Sequence, residues 1–341
     1  MGEHRIDVVG DVHGQLEALL ALGRHLGYEV ERGWRHPDGR ALVFLGDLVD
    51  RGPASLRVVE LVLSLVDEGR AVCLMGNHEY NLVGFALGVE KPKSSNRETV
   101  ADLGARPGEW RSALERLRYL PLAIDLPELR LVHAVWHLEA FRQVEDVLAP
   151  SPRTGAATTA GWLMDHVALQ SPFDSSGLRP GLPSSGFADQ DDAPHEILLK
   201  GYEARAAEPF DDADGKTRDR ERVTWWRLAA PPVPSDKLTI FGHYWNVPPI
   251  PGEHDELAPP FASGTPALGR WQHALAWKVP LAGTVQVPRA ARFACVDYNG
   301  VVDGGGGSCV GAFRWPEHQV AWVRLPGAES GRLGSRRPAG G

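Results

Sequence analysis

Cysteine is nearly absent from this chain of 341 residues: Cys73, Cys295 and Cys309 are the whole complement, odd in number and far apart. That excludes a disulfide-stapled framework, and the place of Cys73 inside an apolar run predicts a reduced, buried thiol. No apolar run approaches the ~20 residues of a membrane-spanning helix. Gly2-Glu3-His4-Arg5 leads into a strand pattern, not a signal peptide. Positive charge is also in deficit, with 36 Lys and Arg against 44 Asp and Glu and a formal net charge of −8, which argues against nucleic-acid binding. The expectation is a soluble, cytoplasmic enzyme with no membrane partner. Composition leaves its oligomeric state open.

What the chain does have is three short segments near its start: Gly10-Asp11-Val12-His13-Gly14, Gly46-Asp47-Leu48-Val49-Asp50-Arg51-Gly52 and Gly76-Asn77-His78-Glu79. Each follows an apolar run, over residues 6–9, 41–45 and 71–75. Such runs predict buried parallel strands, whose ends emerge at the carboxyl edge of a sheet. Active sites of open α/β sheets lie at that edge.

The first 90 residues alternate strand and helix. Leu16–Leu22 is a strong helix former ending near Gly27, and Pro53 opens a second helix that Gly69 closes. Tyr28–Arg40 reads as a short hairpin with Pro37-Asp38-Gly39 as its turn. From Leu122 the pattern changes to short strands, predicted at 122–125, 130–135, 238–241, 292–296, 310–315 and 319–325. An α/β first half followed by strands predicts two packed sheets with helices outside. One domain over 1–326 is expected, with 150–234 as an inserted cap or substrate lobe and 327–341 as a disordered tail. Within the insertion, Ala160–Leu169 reads as a helix and Asp211–Arg222 as a solvated charged loop. A second Pro-rich loop is expected over Val247–Gly269, and Gly304–Gly307 reads as a hairpin loop, since it lacks the Lys-Ser/Thr of a phosphate-binding loop.

Oxygen and imidazole donors converging on one rim suit two divalent cations. Asp11 and His13 can reach one ion across a tight turn, and Asp47 is the candidate bridging ligand. Asn77 offers an amide oxygen to the second ion. His133 and His243, each ending an apolar run, complete that set. The charge there lowers the pKa of a bridging water to near neutrality and generates a hydroxide nucleophile for in-line attack on phosphorus. His78 is the natural general acid, held in its tautomer by Asp50, and the planar fork of Arg51 matches phosphate oxygens.

These motifs resemble the calcineurin-like metallophosphoesterase superfamily. Within it they are similar to the branch holding Ser/Thr phosphoprotein phosphatases and bacterial symmetrical diadenosine tetraphosphatases. The similarity continues through His133 and Gly242-His243 to Cys295-Val296-Asp297 and Gly311-Ala312-Phe313-Arg314-Trp315. The resemblance implies a four-layer α/β/β/α sandwich of two mixed sheets and a binuclear centre that uses manganese, or iron with zinc. It implies hydrolysis of phosphoester or phosphoanhydride bonds. The substrate is expected to be small and phosphorylated, such as a dinucleoside polyphosphate, with phosphoprotein as the alternative and an inactive binding protein as the remote one. The family's His-Gly-Gly or His-Ala-Gly is replaced here by His133-Ala134-Val135-Trp136, so Trp136 either narrows the site or turns aside. The phosphoprotein phosphatases also place a mid-chain arginine on the phosphate, for which Lys200, Arg205 and Arg222 are the candidates.

Two further features invite functional readings. His137 lies four residues after His133, but no Glu stands in the H-E-x-x-H position, so chance spacing is the better reading. Trp225-Trp226 reads as core, with a base-stacking surface as the alternative.

Overall fold

The computed structural model describes residues 4–149, 158–183, 192–211, 217–228, 230–234, 236–244, 280–298 and 308–326. Its strands, in chain order, are β1 (Ile6–Val9), β2 (Ala41–Phe44), β3 (Ala71–Cys73), β4 (Ala123–Asp125), β5 (Leu129–Val132), β6 (Val167–Leu169), β7 (Phe173–Asp174), β8 (Gly177–Leu178), β9 (Glu203–Asp211), β10 (Thr217–Arg222), β11 (Leu238–Phe241), β12 (Ala282–Gln286), β13 (Phe293–Cys295), β14 (Ser308–Trp315) and β15 (Gln319–Leu325). The helices are α1 (Leu16–Leu26), α2 (Ser55–Asp67), α3 (Asn77–Ala86), α4 (Arg97–Ala105), α5 (Pro107–Leu117), α6 (Leu138–Val144), α7 (Thr159–Met164) and α8 (Pro194–Lys200).

The apolar runs at 6–9, 41–44 and 71–73 become neighbouring parallel strands, extended by three antiparallel ones into a sheet of order β12-β15-β14-β1-β2-β3. A second mixed sheet has the order β13-β11-β5-β4-β6. Strands buried on both faces carry no polar alternation. Ile6, Val8, Val43 and Val72 share the core between the sheets with Leu131, Ile240 and Ala294. Their neighbours Val9, Phe44 and Cys73 belong to a separate cluster that includes Leu19 and Leu22 of α1 and Val59 of α2. On the outer side of the second sheet, Trp225 packs on Phe241, and α8 holds the chain after β5 through bonds from Ala134 N and Val135 N to the Leu198 carbonyl. The result is the α/β/β/α sandwich of two mixed sheets.

Local differences from the sequence reading have visible causes. The hairpin expected over 28–40 reduces to one bridge between Glu29 and Arg35, because Gly33 and Trp34 take positive φ and Trp34 turns into the core. The helix expected over 160–169 stops at Met164, and β-branched Val167 begins an edge strand paired with β4. Within the 150–234 segment, β6 joins the second sheet, whereas β7 with β8 and β9 with β10 form two-stranded sheets of their own. The loop expected at 211–222 is therefore partly strand. The 247–269 and 304–307 loops and the 327–341 tail lie outside the described residues. Cys73, Cys295 and Cys309 are free and buried. Among the described residues, no helix is long and apolar enough to cross a membrane.

Candidate metal centre

Every metal-ligand candidate follows the carboxyl end of a strand: Asp11 and His13 after β1, Asp47 after β2, Asn77 after β3, His133 after β5, His243 after β11. The loops that carry them are bonded to one another. The Asp47 carbonyl accepts from Val12 N and His13 N, and Gly242 N donates to the His133 carbonyl. Gly242 must be glycine, because a Cβ there would stand 2.2 Å from Asp11 Oδ1.

Asp47 lies at the centre of the cluster. Its Oδ2 is 3.6 Å from His13 Nε2, and its Oδ1 is 3.4 Å from His133 Nε2. Asn77 Oδ1 lies 2.8 Å from His243 Nδ1 and 3.1 Å from His133 Nε2. Asp11 Oδ2 is 3.9 Å from His13 Nε2, and its carboxylate accepts the His243 backbone N–H. His13 and His133 each direct Nδ1 to a carbonyl, of Val49 and Leu45, which turns Nε2 inward as the ligating atom. Asp47 belongs both to a metal-capable group with His13 and His78 and to one with His133 and His243.

The electrostatics fit a bound metal. Burial, with Arg51 and His78, holds His13 well below the usual imidazole range, and burial, with Arg222 and His133, does the same to His243. Neutral imidazoles are what a metal binds. Burial, with the Asp297 and Asp47 charges, pushes Asp11 well above the carboxylate range. A divalent cation held there would place positive charge beside the buried Asp11 and Asp47 carboxylates.

His78 Nδ1 lies 2.5 Å from Asp50 Oδ2, and its Nε2 faces Asp47 Oδ2 at 3.9 Å. Burial opposes its protonation, but the Asp47 charge and the Asp50 bond outweigh burial and hold its pKa above the ordinary value. Arg51 is exposed at the rim, and its charge acts on Asp11, His13 and His78.

Of the basic candidates in the insertion, Arg222 reaches the cluster, with Nη1 3.0 Å from the His243 carbonyl. Lys200 pairs with Glu196 and Asp192, and Arg205 sits on β9. Trp136 is turned aside, stacked on Phe141 at 4.9 Å. His137 caps α6 by accepting from Ala140 N. Trp225 and Trp226 pack with Phe241 as core.

Two site residues were not singled out by the motif chemistry. The buried Glu79 carboxylate accepts from the backbone N–H groups of Asp47, Leu48, Val49 and Gly76, tying the second motif to the third. Asp297, two residues beyond β13 and fully buried, faces Asp11 and Arg51 electrostatically. The strand-end rule that finds His133 and His243 also points to it.

A family model described as calcineurin-like phosphoesterase matches residues 4–177. The bis(5'-nucleosyl)-tetraphosphatase PrpE (asymmetrical) of Halalkalibacterium halodurans is 41% identical over 135 residues, 38% of this chain and 55% of that protein. Its namesake in Geobacillus thermodenitrificans is 40% identical over 136 residues, 38% of this chain and 56% of that protein. The match thus spans about half the length of these curated relatives. A solved metallophosphoesterase of Sphaerobacter thermophilus is 16% identical with a TM-score of 0.41, over 95% of this chain and 88% of that one.

Proposed function

Because this chain belongs to the calcineurin-like phosphoesterase family, we propose that it is a metal-dependent phosphoric ester and anhydride hydrolase whose substrate is a dinucleoside polyphosphate. One observation carries the reading: the two oxygens of Asp47 face different imidazoles, at 3.6 and 3.4 Å, so Asp47 is shared by two metal-capable groups. Asp11 and His13 would hold one cation, and Asn77, His133 and His243 the other. When bound, two divalent ions, manganese first and an iron–zinc pair second, would supply positive charge at the phosphoryl oxygens and lower the pKa of a water there.

The chain's own groups do the rest. Protonated His78 donates to the leaving oxygen. Asp50 holds the ring so that Nε2 carries that proton towards the substrate. Arg51 presents its fork to the phosphoryl oxygens, and Arg222 adds a second positive charge beside His243. The naming of the relatives as tetraphosphatases supports the substrate class.

The test is a side-by-side assay of diadenosine tetraphosphate, a phosphopeptide and an aryl phosphate with added manganese. Diadenosine tetraphosphate should have the highest kcat/KM, and its products, a mono- and a triphosphate or two diphosphates, identify the bond cleaved. Asp47→Asn and His78→Ala should each lower the rate by about 10²–10⁴-fold. Comparable turnover of the phosphopeptide overturns the substrate assignment, and near-wild-type rates in either variant overturn the mechanism.

A further inference from the structure

Glu98, Asp102 and Arg106 recur at four-residue intervals along α4 and its C-terminal cap, a spacing that sets them on one face of the helix. With Thr99 they form one wall of a cavity of about 360 Å³, and the segment from Gly52 to Arg57, which opens α2, forms the other. The walls meet at two buried hydroxyls, with Ser55 Oγ 3.4 Å from Thr99 Oγ1. The α4 wall is held in shape by Asp102, which pairs with Arg106 and accepts from Trp110 Nε1 at 2.9 Å.

This cavity adjoins the reacting groups. Gly52 follows Arg51 in the chain and packs on the first motif, so closely that a Cβ there would stand 2.2 Å from the His13 carbonyl oxygen. Ser55 Oγ accepts from Asp50 N at 2.9 Å, and the Asp50 carboxylate holds His78. The cavity is thus joined, through Ser55 and Asp50, to the general acid. A general acid stands beside the leaving oxygen, so the cavity lies on the side where the leaving group departs.

Its lining fixes the chemistry of its occupant. Arg57 and Arg106 balance Glu98 and Asp102, so the cavity has no net charge with which to draw in a run of phosphates. Pro53, Ala54 and Leu56 add an apolar surface within that polar rim. An uncharged nucleoside matches both, with apolar base faces and with polar ribose and base edges. The volume also falls within the roughly 300–1,000 Å³ of small-molecule sites. We infer that this cavity is the subsite for the nucleoside of the leaving nucleotide, with Glu98 accepting from the ribose hydroxyls and the Arg57 guanidinium meeting the base. The inference rests on the hydrolase reading above and deepens it. The metal centre and Arg51 act on phosphate, and the α2–α4 cavity selects a nucleotide as the group that leaves.

The test uses the full chain with its metals and the double variant Arg57→Ala/Glu98→Ala. Both positions are exposed, and the pair removes one cation and one anion, so the net charge is unchanged. Two non-hydrolysable probes are compared by calorimetry: the α,β-methylene analogue of ADP, and methylenediphosphonate, which lacks the nucleoside. Affinity for the ADP analogue should fall about tenfold in the double variant, the scale of two lost charge-assisted contacts. Affinity for methylenediphosphonate should stay within about twofold. KM for diadenosine tetraphosphate should rise about as far as the ADP analogue weakens, with kcat unchanged.

Unchanged affinity for the ADP analogue in the double variant overturns the subsite. So does an equal loss for methylenediphosphonate, since the residues would then be acting on phosphate and not on the nucleoside. A phosphopeptide whose KM rises as far as that of diadenosine tetraphosphate would give the cavity to peptide and overturn the assignment as well. Failure of the wild type to hydrolyse diadenosine tetraphosphate would instead count against the functional reading, while the two calorimetric probes still decide the subsite.

Discussion

Asp47 sits at φ +51, in the left-handed region that residues other than glycine seldom adopt, and His13 (+46), Asp50 (+71), Arg51 (+64) and His243 (+66) do the same. Each such residue costs on the order of 1–3 kcal/mol and persists only where its surroundings over-determine it. Glu79 supplies part of that constraint by gathering four backbone N–H groups from two motifs. Burial, then the Asp47 charge, pushes its carboxyl up to about 7, against the pull of those N–H donors. Ser55 Oγ adds another constraint by accepting from Asp50 N, which aims the Asp50 carboxylate at His78. Asp50→Asn keeps this shape and removes the charge that holds the His78 tautomer. It should lower kcat by about 10²–10⁴-fold, with KM and bound metal unchanged. A kcat within a few-fold of wild type in that variant would remove Asp50 from the proton-transfer pair.

Helix α3 carries Asn77, His78 and Glu79 in its first turn, so its position sets the whole site. It is anchored on α8 by Tyr80, whose Oη lies 3.1 Å from His195 Nε2. His195 is 2% exposed, and its Nδ1 has no hydrogen-bond partner among the described residues, so a protonated ring would bury an unmet donor. Burial, with the Lys200 charge and against that of Glu196, depresses His195 to about 4. The unfolded chain takes up this proton near the ordinary value of ~6.5 and the folded chain only near 4. Stability from this contact is therefore complete above ~6.5 and is lost as pH falls towards 4. Between pH 7 and pH 5 the loss is on the order of 2 kcal/mol. Urea unfolding at the two values should show that loss in the wild type and a smaller one in His195→Gln; parallel losses in both would assign the acid sensitivity elsewhere.

Across the molecule, legibility in the sequence followed locality. The six ligand candidates could be read because each sits within a few residues of an apolar strand, where a short motif and its strand specify position together. Glu79 acts across the fold, on backbone N–H groups brought in from the second motif, so its role has no local signature, whereas Asp297 follows an apolar strand as the ligand candidates do and was missed only because no short motif marks it. The β9–β10 hairpin was hidden for a different reason. Alternating charges resemble a solvated loop, and no apolar run announces the strand that pairs with them.

What the fold assembles at long range is an excess of buried negative charge, with Asp11, Asp47, Asp50, Glu79 and Asp297 each 2% exposed or less. Carboxylates so confined repel one another in the folded state, and bound cations relieve that repulsion only there. Metal binding should therefore stabilise the whole sandwich. At 100 times its Kd a cation adds ~2.7 kcal/mol, on the order of 4 °C in Tm for a chain of 341 residues. Thermal melts with manganese and with a chelator should differ by that amount. Asp47→Asn should abolish the difference, while the hairpin variant Arg218→Gln keeps it. Coincident melts with and without the chelator, in a sample verified to have lost its metal, would mean that the rim tolerates its charge unaided.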